Sequence, residues 1–214
     1  FVRHGKILDG IKQPNLDNFS TLTMLDIIRE NKPELMLLHL TGYDTACHEH
    51  GVGSKEAGEA LDELDRHLGE LLAVIGTNTT VVIFSDHSQL NVNRCFDPNT
   101  LLDEFGYAKR NEDGSLRDAR AFFLNADGNA ILFNRNLNDE ELAQVEARLD
   151  AEKVVERKLT DAEMTIAGFI PERIDTLAEK ATLNGKIVAG YAAKPDVYFS
   201  TDPTHKATHG YPLT

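Results

Sequence analysis

The apolar segments LMLLHL (residues 35–40) and TVVIF (residues 80–84) decide the fold. Each is a short run of strand length, typical of a strand buried on both faces of a parallel sheet. Between them, Ser54 is suited to cap a long amphipathic helix. A strand, a helix and a strand with short connections form a right-handed βαβ unit. We therefore predict an α/β fold with a largely parallel sheet flanked by helices, together with a small α+β insert.

Further core elements are predicted on either side of this unit. Apolar residues at helical spacing indicate a helix over residues 21–30, with Asn18 or Ser20 as its N-cap. Residues 196–200 (DVYFS) have the composition of another strand, followed by a loop rich in turn-forming residues. We expect the α/β core to comprise residues 1–100 and 187–214.

Residues 101–186 have a different pattern, and we predict that they form the α+β insert. The dipeptide Asp127-Gly128 between two apolar runs indicates a β-hairpin. Asn138 with Glu141, and Thr160 with Glu163, are spaced as capping boxes that begin two helices. A strand-like stretch over residues 153–159 lies between them.

Composition excludes several classes of function. The 214 residues include 22 Lys and Arg against 35 Asp and Glu, a formal net charge of −13. Without clustered basic residues, we expect no binding to duplex nucleic acid. No apolar run approaches the roughly 20 residues that cross a bilayer, so we predict no membrane span. Cys47 and Cys95 are too few for a disulfide framework, and the sequence leaves the compartment and the oligomeric state open.

The acidic and histidine residues fall in three loops, each of which follows a predicted strand. Asp44, His48 and His50 lie in the first loop, Asp86 and His87 in the second, and His205 and His209 in the third. Ligands of open α/β sheets bind beyond the carboxyl ends of the strands. We therefore expect these loops to form the functional site.

The residue types in these loops match the chemistry of zinc. Imidazole nitrogen and carboxylate oxygen are its usual ligands beside thiolate. Asp44 and His48 are four residues apart, so one turn could direct both at one ion, whereas adjacent side chains such as Asp86 and His87 diverge and suggest a second ion. For each pair alone, a turn-capping Asp beside a partly exposed His is the competing interpretation.

Other candidates have simpler interpretations. His50 could compete with His48 as a ligand, and His205 could contact a substrate phosphate, but we expect both to be surface residues. Cys47 is expected to be a small buried thiol. Of the remaining histidines, His39 is predicted to be a core or edge residue of a strand and His67 a residue on the helix surface.

The runs GYDTACHEHG, TTVVIFSDHSQLNV and THKATHGY, in this order, resemble the type I phosphodiesterase/nucleotide pyrophosphatase branch of the alkaline phosphatase superfamily. The resemblance implies that Asp44, His48 and His209 bind one divalent metal ion and that Asp86 and His87 bind the other, most simply as Zn²⁺. It implies a two-zinc centre that hydrolyses a small phosphate-ester substrate through a Thr or Ser nucleophile.

The chain also departs from the family pattern. The family's nucleophile and one more Asp ligand precede the motifs seen here, so we expect them upstream of Phe1 and expect this chain alone to be inactive. Residues 14–21 resemble a nucleophile segment but lie too close to Asp44, and we interpret Ser20 and Thr21 as a helix cap. Ser88 follows the Asp-His pair where the family usually has Gly.

Three alternatives stay open at this point. A phosphomutase or a sulfatase-like relative would share the same metal ligands, and a non-catalytic module would bind metal or phosphate without turnover. The substrate could be a monoester, a diester, a pyrophosphate or a phosphonate.

Overall fold

The computed structural model describes residues 3–166, 168–169 and 185–212. It divides into two compact units, the first extending to Asn91 and including His205–Ala207, the second comprising Val92–Thr204 and the residues from Thr208 onward. Residues 170–184 of the predicted insert lie outside the described residues, and the division into core and insert stays a prediction. No helix among the described residues combines the length and hydropathy that a membrane crossing requires.

Helices dominate the first unit. After a 3-10 turn (Gly5–Ile7) come α1 (Asn15–Asn31), α2 (Gly42–His50) and α3 (Lys55–Leu72), followed by the short strand β1 (Leu90–Asn91). The Ser54 side chain accepts a hydrogen bond from the Ala57 N–H and caps α3, as predicted. Helix α1 begins six residues earlier than predicted. The Ser20 hydroxyl therefore lies inside the helix and donates to the Leu16 carbonyl instead of capping the helix.

The apolar segments over residues 35–40 and 80–84 run outside helices and strands, and the prediction that they are strands is wrong for the described residues. Several of their side chains face solvent; Leu37 is 85% exposed and Phe84 79% exposed. A strand requires a neighbour that supplies its ladder of hydrogen bonds, and a local apolar pattern cannot provide that partner. Among the described residues, a parallel strand pair lies in the second unit.

The second unit contains most of the strands. Its elements in chain order are β2 (Arg94–Phe96), α4 (Asn99–Glu104), β3 (Lys109–Arg110), β4 (Leu116–Arg117), β5 (Ala121–Ala126), β6 (Asn129–Asn134), α5 (Asp139–Ala151), β7 (Val155–Lys158), α6 (Asp161–Ile166), β8 (Lys186–Ala193) and β9 (Val197–Phe199). The short strand β10 (Ala207–Thr208) follows. Strands β5, β6, β8 and β7 form, in this order, an antiparallel sheet, while β2 pairs with β9 in parallel.

Local signals in this unit are confirmed. The β5–β6 hairpin turns at Asp127, whose φ of 52° is the left-handed conformation that Asp tolerates better than most residues. Asn138 and Glu141 form a reciprocal capping box at the start of α5. At the start of α6, the Thr160 N–H donates to Glu163 and the Glu163 N–H donates to the Thr160 hydroxyl.

The core of the second unit lies on both faces of the antiparallel sheet. On one face, buried residues of the sheet pack with α4 and α5, including Phe123, Leu132, Val145, Leu149 and Tyr191. A smaller cluster on strands β5 and β6 contains Phe122, Ile131 and Phe133 and packs with Met164. The hairpin is thus held from two sides, which fixes the turn at its end.

Candidate metal centre

The N-terminus of α2 is capped by a buried carboxylate from α1. Asp17 accepts hydrogen bonds from the backbone N–H groups of Thr41 (3.1 Å) and Gly42 (2.8 Å), which begin the helix. The Gln13 amide donates to the same carboxylate at 2.9 Å. A negative charge at a helix N-terminus satisfies its unpaired donors and interacts favourably with the helix dipole. Asp17 therefore fixes where α2 begins.

Helix α2 presents Asp44 and His48 one turn apart. Asp44 Oδ1 lies 3.6 Å from His48 Nε2. Two ligands of a tetrahedral zinc ion, each about 2.0–2.1 Å from the metal, lie about 3.3 Å apart. The pair is therefore spaced to share one ion, which agrees with the spacing argument from the sequence.

The segment that includes Ala207 orients His48. His48 Nδ1 lies 2.8 Å from the carbonyl oxygen of Ala207, and the His48 carbonyl accepts from the Lys206 N–H at 2.7 Å. Beneath these contacts Cys47 is fully buried against Ala57 and Ala207. This confirms the interpretation of Cys47 as a small buried thiol.

Asp86 and His87 lie in the same unit as Asp44. His87 Nε2 is 3.9 Å from Asp44 Oδ1 and 3.4 Å from Asp86 Oδ2, so one imidazole faces both carboxylates. His39 Nε2 is 3.7 Å from Asp86 Oδ2. Partial desolvation raises the pKa of Asp86, but its backbone hydrogen bonds and the His87 and His39 imidazoles outweigh that effect and hold the pKa below its usual value.

Gln89 contacts the Asp44 carboxylate, a contact that no sequence motif predicts. Its Nε2 lies 2.5 Å from Asp44 Oδ1 and 3.2 Å from the Asp44 carbonyl oxygen. Gln89 and the Ala207 carbonyl, like the Asp17 cap of α2, are site features that the sequence analysis did not predict. No sequence motif marks a single glutamine or a backbone carbonyl, because its role depends only on which residue lies next to it in the folded chain.

The His209 segment is anchored on the β5–β6 hairpin. The Gly128 N–H at the hairpin turn donates to the His209 carbonyl at 2.9 Å, and the Asn129 amide donates to the Gly210 carbonyl at 2.5 Å. Gly210 has a φ of +82°, and a Cβ atom there would lie 2.6 Å from the Ala126 carbonyl oxygen. Glycine is therefore required at the position after His209.

Of the three residues that the resemblance implies for one zinc ion, Asp44 and His48 lie together in the first unit. His209 belongs to the second unit. Among the residues that the structure describes, Asp86 and His87 do not belong to a close group of three or more His, Cys, Asp or Glu side chains. The assignment of all five residues as metal ligands stays a prediction.

The other histidines differ from one another in environment. His50 is on the exposed side of α2, with Nε2 3.6 Å from Glu49, and the ring of His205 lies 4.8 Å from that of His48. His67 is only 2% exposed, so its prediction as a helix-surface residue is wrong. The amphipathic pattern of a helix does not show how much of its surface a neighbouring helix covers at the edge of the apolar face. Here α1 packs against α3, the helix that carries His67.

Two crystal structures of phosphonoacetate hydrolase from Sinorhizobium meliloti 1021 share the fold. The structure with phosphonoacetate is 19% identical, with a TM-score of 0.57, and the match covers 87% of this chain and 43% of that one. The structure with phosphonoformate is 18% identical, with a TM-score of 0.57, and the match covers 90% and 48% of the two chains. The chain thus spans less than half the length of these structural neighbours.

A search of curated proteins finds no match. The sequence profile of one family, however, matches almost the whole chain, over residues 3–212, and is described as type I phosphodiesterase/nucleotide pyrophosphatase. The match includes all three loops that carry the Asp and His residues, in the order that the sequence motifs indicated. The chain belongs to the type I phosphodiesterase/nucleotide pyrophosphatase family of the alkaline phosphatase superfamily.

Proposed function

We propose that this chain supplies most of the metal ligands of a two-zinc centre that hydrolyses phosphate esters. The observation that carries the proposal is the position of the Asp44 carboxylate, 3.6 Å from His48 Nε2 and 3.9 Å from His87 Nε2. Family membership supports the reaction class, hydrolysis at phosphorus.

In this proposal Asp44, His48 and His209 bind one zinc ion, while Asp86 and His87 bind the other. All five side chains are carboxylates or imidazoles, which are ordinary zinc ligands. The pKa of Asp86 lies below its usual value, which favours the ionised form that a metal ligand requires. When bound, the two ions would polarise a phosphoryl oxygen and stabilise the charge that develops during displacement.

The charge of the chain agrees with a role for metal ions. With a formal net charge of −13, the protein repels a phosphate-bearing anion at long range. Two divalent cations at Asp44 and Asp86 would reverse the field locally and attract the substrate. We therefore expect phosphate binding to depend on prior metal binding.

The substrate is proposed to be a small phosphate ester, with a phosphodiester, a nucleotide pyrophosphate and a phosphomonoester as the classes to compare. Phosphonoacetate is a further compound to test, because the structural neighbour was crystallised with it. We further propose that the nucleophile lies outside these 214 residues, as the resemblance implies. On that hypothesis the chain binds metal and phosphate but turns over poorly.

Zinc titration of the metal-free chain tests the proposal. We expect isothermal titration calorimetry to show one zinc ion bound more tightly than a second, with the tight site lost in Asp44→Asn. Orthovanadate should then bind only to the zinc-loaded chain. Glu49→Gln is the matched control, since Glu49 is an exposed acidic residue on the same helix.

The outcomes separate the parts of the proposal. If the wild-type chain binds no zinc, the metal centre is disproved. If the purified chain hydrolyses p-nitrophenyl phosphate rapidly and Asp86→Ala abolishes that activity, the centre is supported and the missing nucleophile is disproved. Zinc and vanadate binding without turnover, even after addition of a segment that supplies the family's nucleophile, would indicate a binding module instead of an enzyme.

A further inference from the structure

We infer that Gln89 is a positioning residue of the metal centre, which holds the Asp44 carboxylate in the orientation that zinc binding requires. The inference rests on the proposed function, because it concerns the same site. It adds a residue that no sequence motif indicates and that does not itself bind the ion.

The contact is made twice, to two oxygens of one residue. Gln89 Nε2 lies 2.5 Å from Asp44 Oδ1 and 3.2 Å from the Asp44 backbone carbonyl oxygen. Both oxygens are acceptors only, so the amide must present its NH₂ group to them and the orientation of the amide is unambiguous. Two anchor points on one residue fix the side chain of Asp44 relative to the axis of α2.

The oxygen that Gln89 holds is the one that faces the imidazoles. Asp44 Oδ1 is the atom 3.6 Å from His48 Nε2 and 3.9 Å from His87 Nε2. A carboxylate oxygen has two lone pairs, so accepting from Gln89 leaves one for an ion. Gln89 thus acts on the lone pairs of the ligand atom itself and not on a remote part of the loop.

The oxygen of the Gln89 amide gives this side chain no second role. Its Oε1 atom is buried and accepts no hydrogen bond in the structure. A buried amide oxygen without a donor costs free energy, which the bonds to Asp44 have to offset. Hydrogen bonds to a ligating carboxylate restrict its rotation, and removing such outer partners typically weakens metal binding about 10- to 100-fold.

Gln89→Met tests the inference, because methionine is unbranched, of similar length and has no donor. We expect zinc affinity to fall about 10- to 100-fold, measured by competition with a chelator. The visible absorption of the Co²⁺-loaded variant should also change, since the coordination of the carboxylate is altered. Thermal unfolding of the metal-free variant should stay close to that of the wild type.

Asn91→Leu is the matched control. The Asn91 amide, two residues along the chain, also makes two hydrogen bonds to one residue: its Oδ1 accepts from the Val52 N–H at 2.7 Å and its Nδ2 donates to the Val52 carbonyl at 3.3 Å. We expect this change to leave the Co²⁺ spectrum and zinc affinity as in the wild type. Gln89→Leu serves as a second variant should methionine disturb folding.

Each outcome decides a different point. If the wild type binds zinc and the Gln89 variants bind it equally well with an unchanged Co²⁺ spectrum, the inference is wrong while the proposed function stands. If the wild type binds no zinc, the proposed function fails and the inference fails with it. If both Gln89 variants lose the helical circular dichroism of the metal-free chain, Gln89 has a general folding role and the inference is overturned.

Discussion

His48 Nδ1 lies 2.8 Å from the carbonyl oxygen of Ala207, a residue 159 positions away in the sequence. A carbonyl only accepts hydrogen bonds, so Nδ1 carries the proton and Nε2 is the acceptor nitrogen. Nε2 is the atom that faces Asp44 Oδ1 at 3.6 Å. A backbone contact between distant segments therefore sets the tautomer that a metal ligand requires.

His48→Ala should abolish tight zinc binding, whereas His50→Ala should leave it unchanged. Both residues are on α2, but only His48 is oriented by a carbonyl and faces Asp44. His50 lies beside Glu49 on the exposed side of the helix. Calorimetric titration of the two variants decides between the rival ligands. Equal losses in both variants would contradict the assignment of His48.

Gly210→Ala should destabilise the chain more than Gly114→Ala. Both glycines have a φ of +82°, so each substitution costs about 1 kcal/mol or more for a left-handed backbone. At Gly210 the new Cβ would also meet the Ala126 carbonyl oxygen at 2.6 Å, while at Gly114 no atom lies within 4 Å. Urea unfolding measures the difference.

The same Gly210→Ala variant should bind zinc more weakly than Gly114→Ala. A Cβ at this position displaces the backbone next to His209, whose carbonyl is held by Gly128. Unchanged zinc affinity together with a large loss of stability would argue against His209 as a ligand.

Asn99→Leu should lower the free energy of unfolding by about 2 kcal/mol or more, because two buried backbone groups lose their partners. Asn99 donates to the Phe123 carbonyl at 3.0 Å and accepts from the Phe123 N–H at 2.8 Å. The Asn99 side chain thus supplies hydrogen bonds that a neighbouring strand would otherwise make to β5, which lies at the edge of the sheet. Asn111→Leu, at an exposed turn, should change stability by less than about 0.5 kcal/mol. Similar losses in both variants, in denaturant titrations, would refute this account.

Protonation of His67 should destabilise the folded chain as the pH falls below about 6.5, the pKa of an unperturbed histidine. Burial first, and then the Arg66 guanidinium, lower the pKa of His67 in the folded state. Between the folded and unfolded pKa values the unfolded chain binds more protons, so stability falls with decreasing pH in that window and is fully present above it.

His67→Gln isolates this contribution. We expect the difference in urea midpoint between wild type and variant to shrink as the pH is lowered from 7.5 to 5.5, since only the wild type loses the benefit of a neutral His67. Arg66 should be kept in both proteins. A difference that does not depend on pH would show that His67 titrates normally.

Local patterns allowed a large part of the structure to be predicted. The Ser54 cap, the Asn138–Glu141 capping box and the Asp127-Gly128 hairpin all depend on residues within a few positions of one another. The four-residue spacing of Asp44 and His48 is of the same kind, because one helical turn brings them together whatever surrounds the helix. Such features need no information about the rest of the chain.

The sequence by itself determined these short-range elements and the identity of the candidate ligands. Tertiary structure alone decided that residues 35–40 and 80–84 do not pair as strands, that His67 is buried, and that Gln89 and Ala207 orient Asp44 and His48. The physical reason is the same in each case. Strand pairing, burial of a side chain and a hydrogen bond to a candidate ligand each require a partner from a distant position in the chain. No local sequence pattern identifies that partner.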